Sequence, residues 1–420
     1  MASICFYFQV HQPLRLRHYS YFQIDHVHDY WDTDQNRRIL DKVSEKCYLP
    51  ANKVMLDLIK KHDRAFRIAY SISGTILDQM EKYRPDVLDS FRQLADTGCV
   101  EFLNETYYHS LACIFSPEEF KKQVLLHQDR IQALFGQRGE TFRNTEFIYN
   151  NDLAACVEQM GYKTILTEGA DKVLDWRSPN FIYRPSGHDN LCLLLKNYRL
   201  SDDIAFRFSD RNWPEYPLNV EKYAHWIHRA GESGQVINLF MDYETFGEHQ
   251  WRETGIFDFI KRLPEEILKQ EGFKFQTPQE VVKDHAPVAS LDVPFFISWA
   301  DVERDLTAWL GNALQRDASR AIYELEEEVL QSEDEDLIQI WRLLQTSDHF
   351  YYMCNKWFSD GDVHKYFNPY PSPYDAYINY MNIIDDFSRQ LAKKRLIDEE
   401  HVNTPTRSST NGTESAGLSI

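Results

Sequence analysis

The feature that most constrains this 420-residue chain is a recurring unit, in which a short apolar run of β-type residues ends abruptly in polar side chains and an amphipathic helical stretch follows. Runs at 4–10, 65–72, 99–103, 163–167, 191–195 and 235–241 have strand length and composition, and helical spacing marks 51–60, 85–95, 116–135, 151–160, 219–229 and 257–269. Capping chemistry punctuates the helices. Ser116-Pro117-Glu118-Glu119 combines a capping box with proline at the first helical position, and Gly98 stops the helix before it. Apolar strands alternating with helices are the signature of parallel βα units. Roughly seven or eight repeats are within reach of a closed or nearly closed barrel, which gathers its functional groups at one face.

Two of these units end in acids. The run 236–241 stops at Asp242 and is followed by Glu244, Gly247, Glu248, His249 and Trp251, while Thr141-Phe142-Arg143-Asn144-Thr145-Glu146 brings Glu146 to the end of another strand. Either carboxylate alone is as well read as a solvated loop acid. Together, with aromatic residues beside both, they match what sugar hydrolysis needs: one group protonates the leaving oxygen while the other attacks the anomeric carbon or activates water. His11 closes the first strand ahead of Pro13 and falls at the same rim, as a ligand-binding group or a hydrogen-bonded structural one.

Five segments then carry a family resemblance. Val10-His11-Gln12-Pro13, Gly98-Cys99-Val100-Glu101-Phe102-Leu103-Asn104-Glu105-Thr106-Tyr107-Tyr108-His109, the stretch around Glu146, and Met241-Asp242-Tyr243-Glu244-Thr245-Phe246-Gly247-Glu248-His249 resemble the first four conserved regions of glycoside hydrolase family 57. Leu344-Gln345-Thr346-Ser347-Asp348-His349-Phe350-Tyr351-Tyr352 resembles the fifth. The likeness is strongest to the α-amylase members and runs from residue 1 to about 390. It implies an α/β fold, a (β/α)7-type incomplete barrel followed by a C-terminal helical bundle.

It also implies roles. Glu146 becomes the nucleophile and Asp242 the general acid/base of a retaining double displacement, their carboxyl oxygens about 5 Å apart. His11, Glu101, His109, Glu244, His249, Trp251, Asp348 and His349 become substrate-binding residues; for Glu101 a structural pairing with a neighbouring arginine is an equal alternative, and Asp348 without the match reads as a helix-surface residue. The implied substrates are α-1,4-linked glucans of the starch and glycogen type or maltooligosaccharides, and the chemistry needs no metal and no organic cofactor. A 4-α-glucanotransferase using the same intermediate is the nearest alternative. A metal-dependent polysaccharide deacetylase, built on His11, His109 and His249, and a non-catalytic glycan-binding protein are more distant ones.

The barrel is expected over residues 1–289. Beyond it 306–330, 337–353 and 376–391 are helical patterns without intervening strands, so 290–395 reads as a bundle packed on the barrel and completing the cleft. The polar stretch 396–420 reads as a disordered tail. Residues 14–36 read as a polar connection, where the alternating His26 and His28 lack a third metal ligand, and 176–190 as an irregular loop.

A formal charge of −19 argues against nucleic-acid and anionic-membrane partners, whose phosphates it would repel, and is indifferent to a neutral glycan. Aromatic residues at 14% suit stacking on sugar faces as well as a core. Seven scattered cysteines without a Cys-x-x-Cys pair point to free thiols in a reducing compartment. With neither a basic n-region nor an uncharged run of membrane-spanning length, the protein is expected to be cytoplasmic.

Overall fold

The computed structural model describes residues 2–356 and 368–403. Its centre is β1 (Ala2–Val10), buried along its whole length. Parallel neighbours are β2 (Ile68–Ile72), with Val10 opposite Ile72, and β8 (Val236–Asp242), with Gln9 opposite Asp242. The short β3 (Val100–Phe102) extends this sheet beyond β2, and β9 (Phe273–Phe275) pairs with the first residues of β1. A second parallel arc runs β4 (Thr141–Arg143), β5 (Thr164–Glu168), β7 (Cys192–Lys196). β6 (Tyr183–Pro185) joins β7 antiparallel, and β10 (Ala289–Leu291) lies parallel to β6.

The two arcs meet at both seams without a full ladder. At one seam the Asn104 amide donates to the Thr141 carbonyl at 3.1 Å and the Arg143 amide to the Asn104 carbonyl at 2.9 Å. At the other the Asn197 amide reaches the Asn238 carbonyl, and the Asn238 side chain the Leu195 carbonyl, each at 2.9 Å. The outcome is the expected incomplete seven-stranded barrel of β1, β2, β3, β4, β5, β7 and β8.

Strand alternation divides the core. Phe6 and Phe8 face outward into the layer of helices, while Tyr7 points into the barrel with Leu103, Phe147, Leu166 and Phe240. There the Phe147 and Phe240 rings stack at 5.8 Å and Tyr7 meets both edge-on at 5.6 and 5.5 Å. This aromatic layer floors the upper end of the barrel. Helix Pro278–Asp284 packs against its lower end, where the Glu101 carboxylate accepts from the Gln279 amide at 2.9 Å.

Past the barrel the long helical patterns break up. Residues 306–330 become Thr307–Leu310, Ala313–Glu324 and Glu326–Gln331, and 337–353 becomes Glu335–Leu344 and Ser347–Tyr351. Asn312 caps the second of these helices, so that break follows local polar chemistry, while Asp334 caps a helix at the gap expected between the two patterns. Trp309 and Trp341 are wholly buried and share one hydrophobic core with Phe142, Ile148 and Leu193 of the barrel. Helix Pro373–Asn403 crosses back to the beginning of the chain, where buried Asp386 accepts from Tyr30 at 2.5 Å and pairs with His28 at 2.9 Å.

Several expectations change. The polar connection ends in helix Thr33–Val43, capped by Asp32, and His28 is engaged structurally on Asp386. The irregular loop contains β6, and β10 runs across the expected boundary at residue 289. The last helix runs through the expected start of the tail at 396 to Asn403, while 404–420 lie outside the described residues. Among the described residues no helix is long and apolar enough to cross a membrane, and all seven cysteines are unpaired thiols.

Candidate active site

The strands deliver their polar ends into one cleft of roughly 1110 Å3, measured out to its mouth. Gln9, His11, Gln12 and Arg15 enter it from β1 and the segment beyond, Glu146 from the turn after β4, and Asp242, Glu244 and His249 from β8 and its continuation. Lys196 and Asp202 come from the end of β7 and the following helix. Trp299, Asp301 and Arg304 come from the loop ahead of the helical region, and Asp348, Tyr351 and Tyr352 from the region itself. A cleft with a few converging charges between aromatic walls is the usual form of a small-molecule site.

Glu146 is held at every point. After Arg143 the chain makes a tight turn, and Glu146 sits at φ 56°, ψ 23°, followed by Phe147 at φ 53°. Left-handed backbone at two adjacent non-glycine residues costs on the order of 1–3 kcal/mol each and persists only where the surroundings impose it. Here the Trp299 amide donates to the Glu146 carbonyl at 3.1 Å, and the Phe147 ring is locked in the barrel interior. The carboxyl group is buried, with Oε1 3.0 Å from His109 Nε2 and Oε2 accepting from the Trp299 indole at 2.6 Å.

Behind Glu146 the imidazole of His109 bridges to Glu105, 3.0 Å from Nδ1. Burial alone would drive the imidazolium down, but hydrogen bonds and charge from Glu105 and Glu146 outweigh it and hold the pKa at about 9. Burial likewise opposes ionisation of Glu105, yet His109 and the Arg143 guanidinium bring it to about 2. His11 stacks on His109 with ring centres 3.9 Å apart. Burial first, and the His109 charge second, push its pKa down. A neutral His11 fits its partners: Ser73 lies 2.6 Å from Nδ1, and Nε2–H can donate to the Asp348 carboxylate at 3.0 Å. The segment 344–352 thereby reaches the segment 10–13.

Asp242 ends β8, half-buried at the cleft wall. Its neighbour Glu244 accepts from the Tyr48 hydroxyl and is buried; burial first, then the charge of Asp242, raise its pKa to about 8. Glu248 is buried against Lys42 and does not line the cleft. Gly247, at φ 114°, lets the backbone pass under the Lys46 carbonyl, a position that a Cβ would fill.

The structure thus brings Glu146, Asp242, His11, Glu244, His249 and Asp348 to one cleft, with His109 directly behind Glu146. It sends three expected binding residues elsewhere. Glu101 faces the lower end of the barrel on Gln279, a full layer below the rim, because it sits inside β3 and not at its end. Trp251 is 55% exposed in a separate surface depression with Lys46 and Pro50, since the chain turns outward after Gln250. His349 faces the bundle, its ring 5.8 Å from Tyr380, and burial pulls its pKa to about 4.

Other cleft residues were not anticipated. Lys196, one position past an apolar run, follows the same strand-end logic as Asp242. It pairs with Asp202 at 2.9 Å, and Arg304 reaches Asp202 at 3.5 Å and buried Glu168 at 3.8 Å. No local pattern foretells Asp202 or Arg304, which arrive through tertiary packing. Two of the three imidazoles offered for a metal are engaged: His11 and His109 use both ring nitrogens on Ser73, Asp348, Glu105 and Glu146. Among the described residues no group of three or more His, Cys, Asp or Glu is arranged to hold a metal ion.

Comparison with known proteins accords with this arrangement. The sequence model of glycosyl hydrolase family 57 matches residues 5–294. A Methanocaldococcus jannaschii protein named "Putative alpha-amylase" is 42% identical over 95% of this chain and 87% of its own length. The crystal structure of a branching enzyme from Thermococcus kodakaraensis superposes with a TM-score of 0.66 at 14% identity, covering 96% of this chain and 94% of that one. That of a 4-alpha-glucanotransferase from Thermococcus litoralis superposes at 0.62 and 15% identity, over 83% of this chain and 56% of the other. With the family's profile spanning both strand-end carboxylates of the cleft, the chain belongs to glycosyl hydrolase family 57 and is a glycosidase.

Proposed function

We propose that this glycosidase cleaves α-1,4-glucosidic bonds of starch- or glycogen-type glucans or maltooligosaccharides with retention of configuration, in the manner of an α-amylase. The observation that carries the proposal is the placement of Glu146 and Asp242 on the ends of different strands, in one cleft, with Glu146 fixed through both oxygens. Glu146 attacks the anomeric carbon while Asp242 gives its proton to the leaving oxygen. Water then enters, Asp242 takes its proton, and the ester to Glu146 breaks. The imidazolium of His109 and the indole N–H of Trp299 favour the ionised form of Glu146 required for attack. Trp299, Tyr351 and Tyr352 offer ring faces to a neutral sugar chain.

Support for the substrate comes from the relative named a putative alpha-amylase and from the 4-alpha-glucanotransferase of the same fold. The glucanotransferase neighbour also supports a second reading, transfer to an acceptor sugar, since the covalent intermediate is common to both outcomes. The unpaired cysteines support a cytoplasmic location. Maltooligosaccharide incubated with the protein, with and without chelator, distinguishes these possibilities. New reducing ends of α configuration with only shorter products are expected. Longer chains at a constant number of reducing ends would make the protein a transferase, and activity abolished by chelation would overturn the metal-free mechanism.

A further inference from the structure

Glu105 belongs to no role discussed so far, although it is wholly buried and ionised beside the reacting group. It lies four residues before His109, beyond β3, and the loop turns back at His109 with φ 51° so that the two side chains meet. We propose that Glu105 is a positioning residue that acts through His109, holding the imidazole doubly protonated and oriented so that its Nε2–H stays on Glu146 Oε1. This rests on the role given to Glu146 above.

The contacts leave His109 little freedom. Nδ1 is 3.0 Å from Glu105 Oε2 and Nε2 is 3.0 Å from Glu146 Oε1, so one ring spans two carboxylates and each needs a proton from it. Neutral imidazole carries only one N–H, and one of the two buried carboxylates would then face a bare nitrogen lone pair. With both carboxylates ionised the two contacts are satisfied together by imidazolium, and the Gln9 side-chain amide lies further off, 3.4 Å from Nε2. Glu105 is itself fixed from the far side, with Oε2 accepting from Arg143 at 3.4 Å, and Arg143 also donates to Gln9.

Every neighbouring element contributes to the balance. His11 stacks on the ring from the end of β1, and Asp348 reaches His11 from the helical region. Arg143 and Glu146 come from β4 and its turn, while His127, on helix Pro117–Phe135, lies 3.3 Å from the Glu105 amide. Of the two carboxylates on the His109 ring, Glu105 is the one that is not esterified when Glu146 becomes an ester. The imidazolium therefore keeps a counter-ion through the covalent intermediate, and its proton stays in place to receive the Glu146 carboxylate when the ester breaks. No proton leaves His109 in either step.

Replacing Glu105 by Gln keeps the shape and a possible acceptor for Nδ1–H but removes the charge. The variant is expected to lose about 10- to 100-fold in kcat with little change in KM, and its activity should fall off at a pH at least one unit lower on the alkaline side. A purely structural role would scale the whole pH profile by one factor. Histidine 15N NMR gives a readout that needs no turnover: in the wild type, where no variant is required, the His109 ring should remain doubly protonated at pH 8, and in a folded Glu105→Gln it should titrate below that. A singly protonated His109 in the wild type at pH 7, or an unshifted alkaline limb in a folded Glu105→Gln, overturns the proposal. Inactivity of the wild type toward glucans would instead count against the proposed function, and the NMR result would still stand or fall by itself.

Discussion

Replacing Glu244 by Gln should stabilise the protein, and more so as the pH rises. Glu244 is 4% exposed, and burial together with the charge of Asp242 lifts its pKa from 4.5 to about 8. The folded state therefore binds a proton that the unfolded chain has released, and the stability it confers is complete below pH 4.5 and lost as the pH climbs through 8. At pH 7 the 2.5 units separating the pH from the unfolded pKa correspond to about 3 kcal/mol, and above pH 9 the whole shift corresponds to about 5 kcal/mol. Glutamine has the shape of the protonated carboxyl group, can accept from Tyr48 as Glu244 does, and does not titrate. Urea unfolding of both proteins at pH 4.5, 7 and 9 measures the difference. It should be near zero at pH 4.5 and widen to several kcal/mol in favour of the variant by pH 9, while activity falls because a cleft residue has changed. A difference that does not vary with pH, or a variant less stable than the wild type at pH 9, would refute the reasoning.

Glu146→Gln and Asp242→Asn should each lower kcat on the order of 10^4-fold or more while the far-UV spectrum stays native, and near-normal turnover by either would remove that residue from the mechanism. Trp299→Phe keeps a ring but deletes the donor on Glu146 Oε2. A hydrogen bond to a charged group is worth about 1.5–3 kcal/mol, so kcat should drop roughly 10- to 100-fold, and an unchanged kcat would make the indole N–H irrelevant. Gly247→Ala combines an unfavourable φ of 114° with a collision at the Lys46 carbonyl. It should cost about 3 kcal/mol or more in denaturant unfolding, and a midpoint equal to wild type would show that the loop relaxes freely.

The barrel was legible because its strands are buried on both faces and so read as unbroken apolar runs, as 236–241 does, and because the helices between them carry explicit caps. Strand-end position was likewise enough to find Glu146, Asp242 and His11. The same logic applied to residue 196 would have named Lys196, and applied to Asn104-Glu105 would have flagged the anchor of His109. Glu101 and Trp251 show the limits of motif proximity: one residue short of a strand end, or several residues past it, place a side chain toward the other end of the barrel or outside the cleft altogether. Trp299 and Arg304 could not be found locally. They depend on a loop between the barrel and the helical region returning to the turn at Glu146, through the Trp299 amide bond and the shared core. The helix break at Asn312 was hidden because apolar periodicity continued across it.

The central claim is that Glu146 becomes covalently bound to the sugar. A 5-fluoro-α-glucosyl fluoride, which forms the intermediate faster than it hydrolyses, followed by peptide mass spectrometry, locates the bond directly. One hexosyl adduct on the peptide containing Glu146, absent from Glu146→Gln and accumulating in step with inactivation, is the result expected. An adduct on the Asp242 peptide, or full inactivation without any covalent label, would contradict the claim.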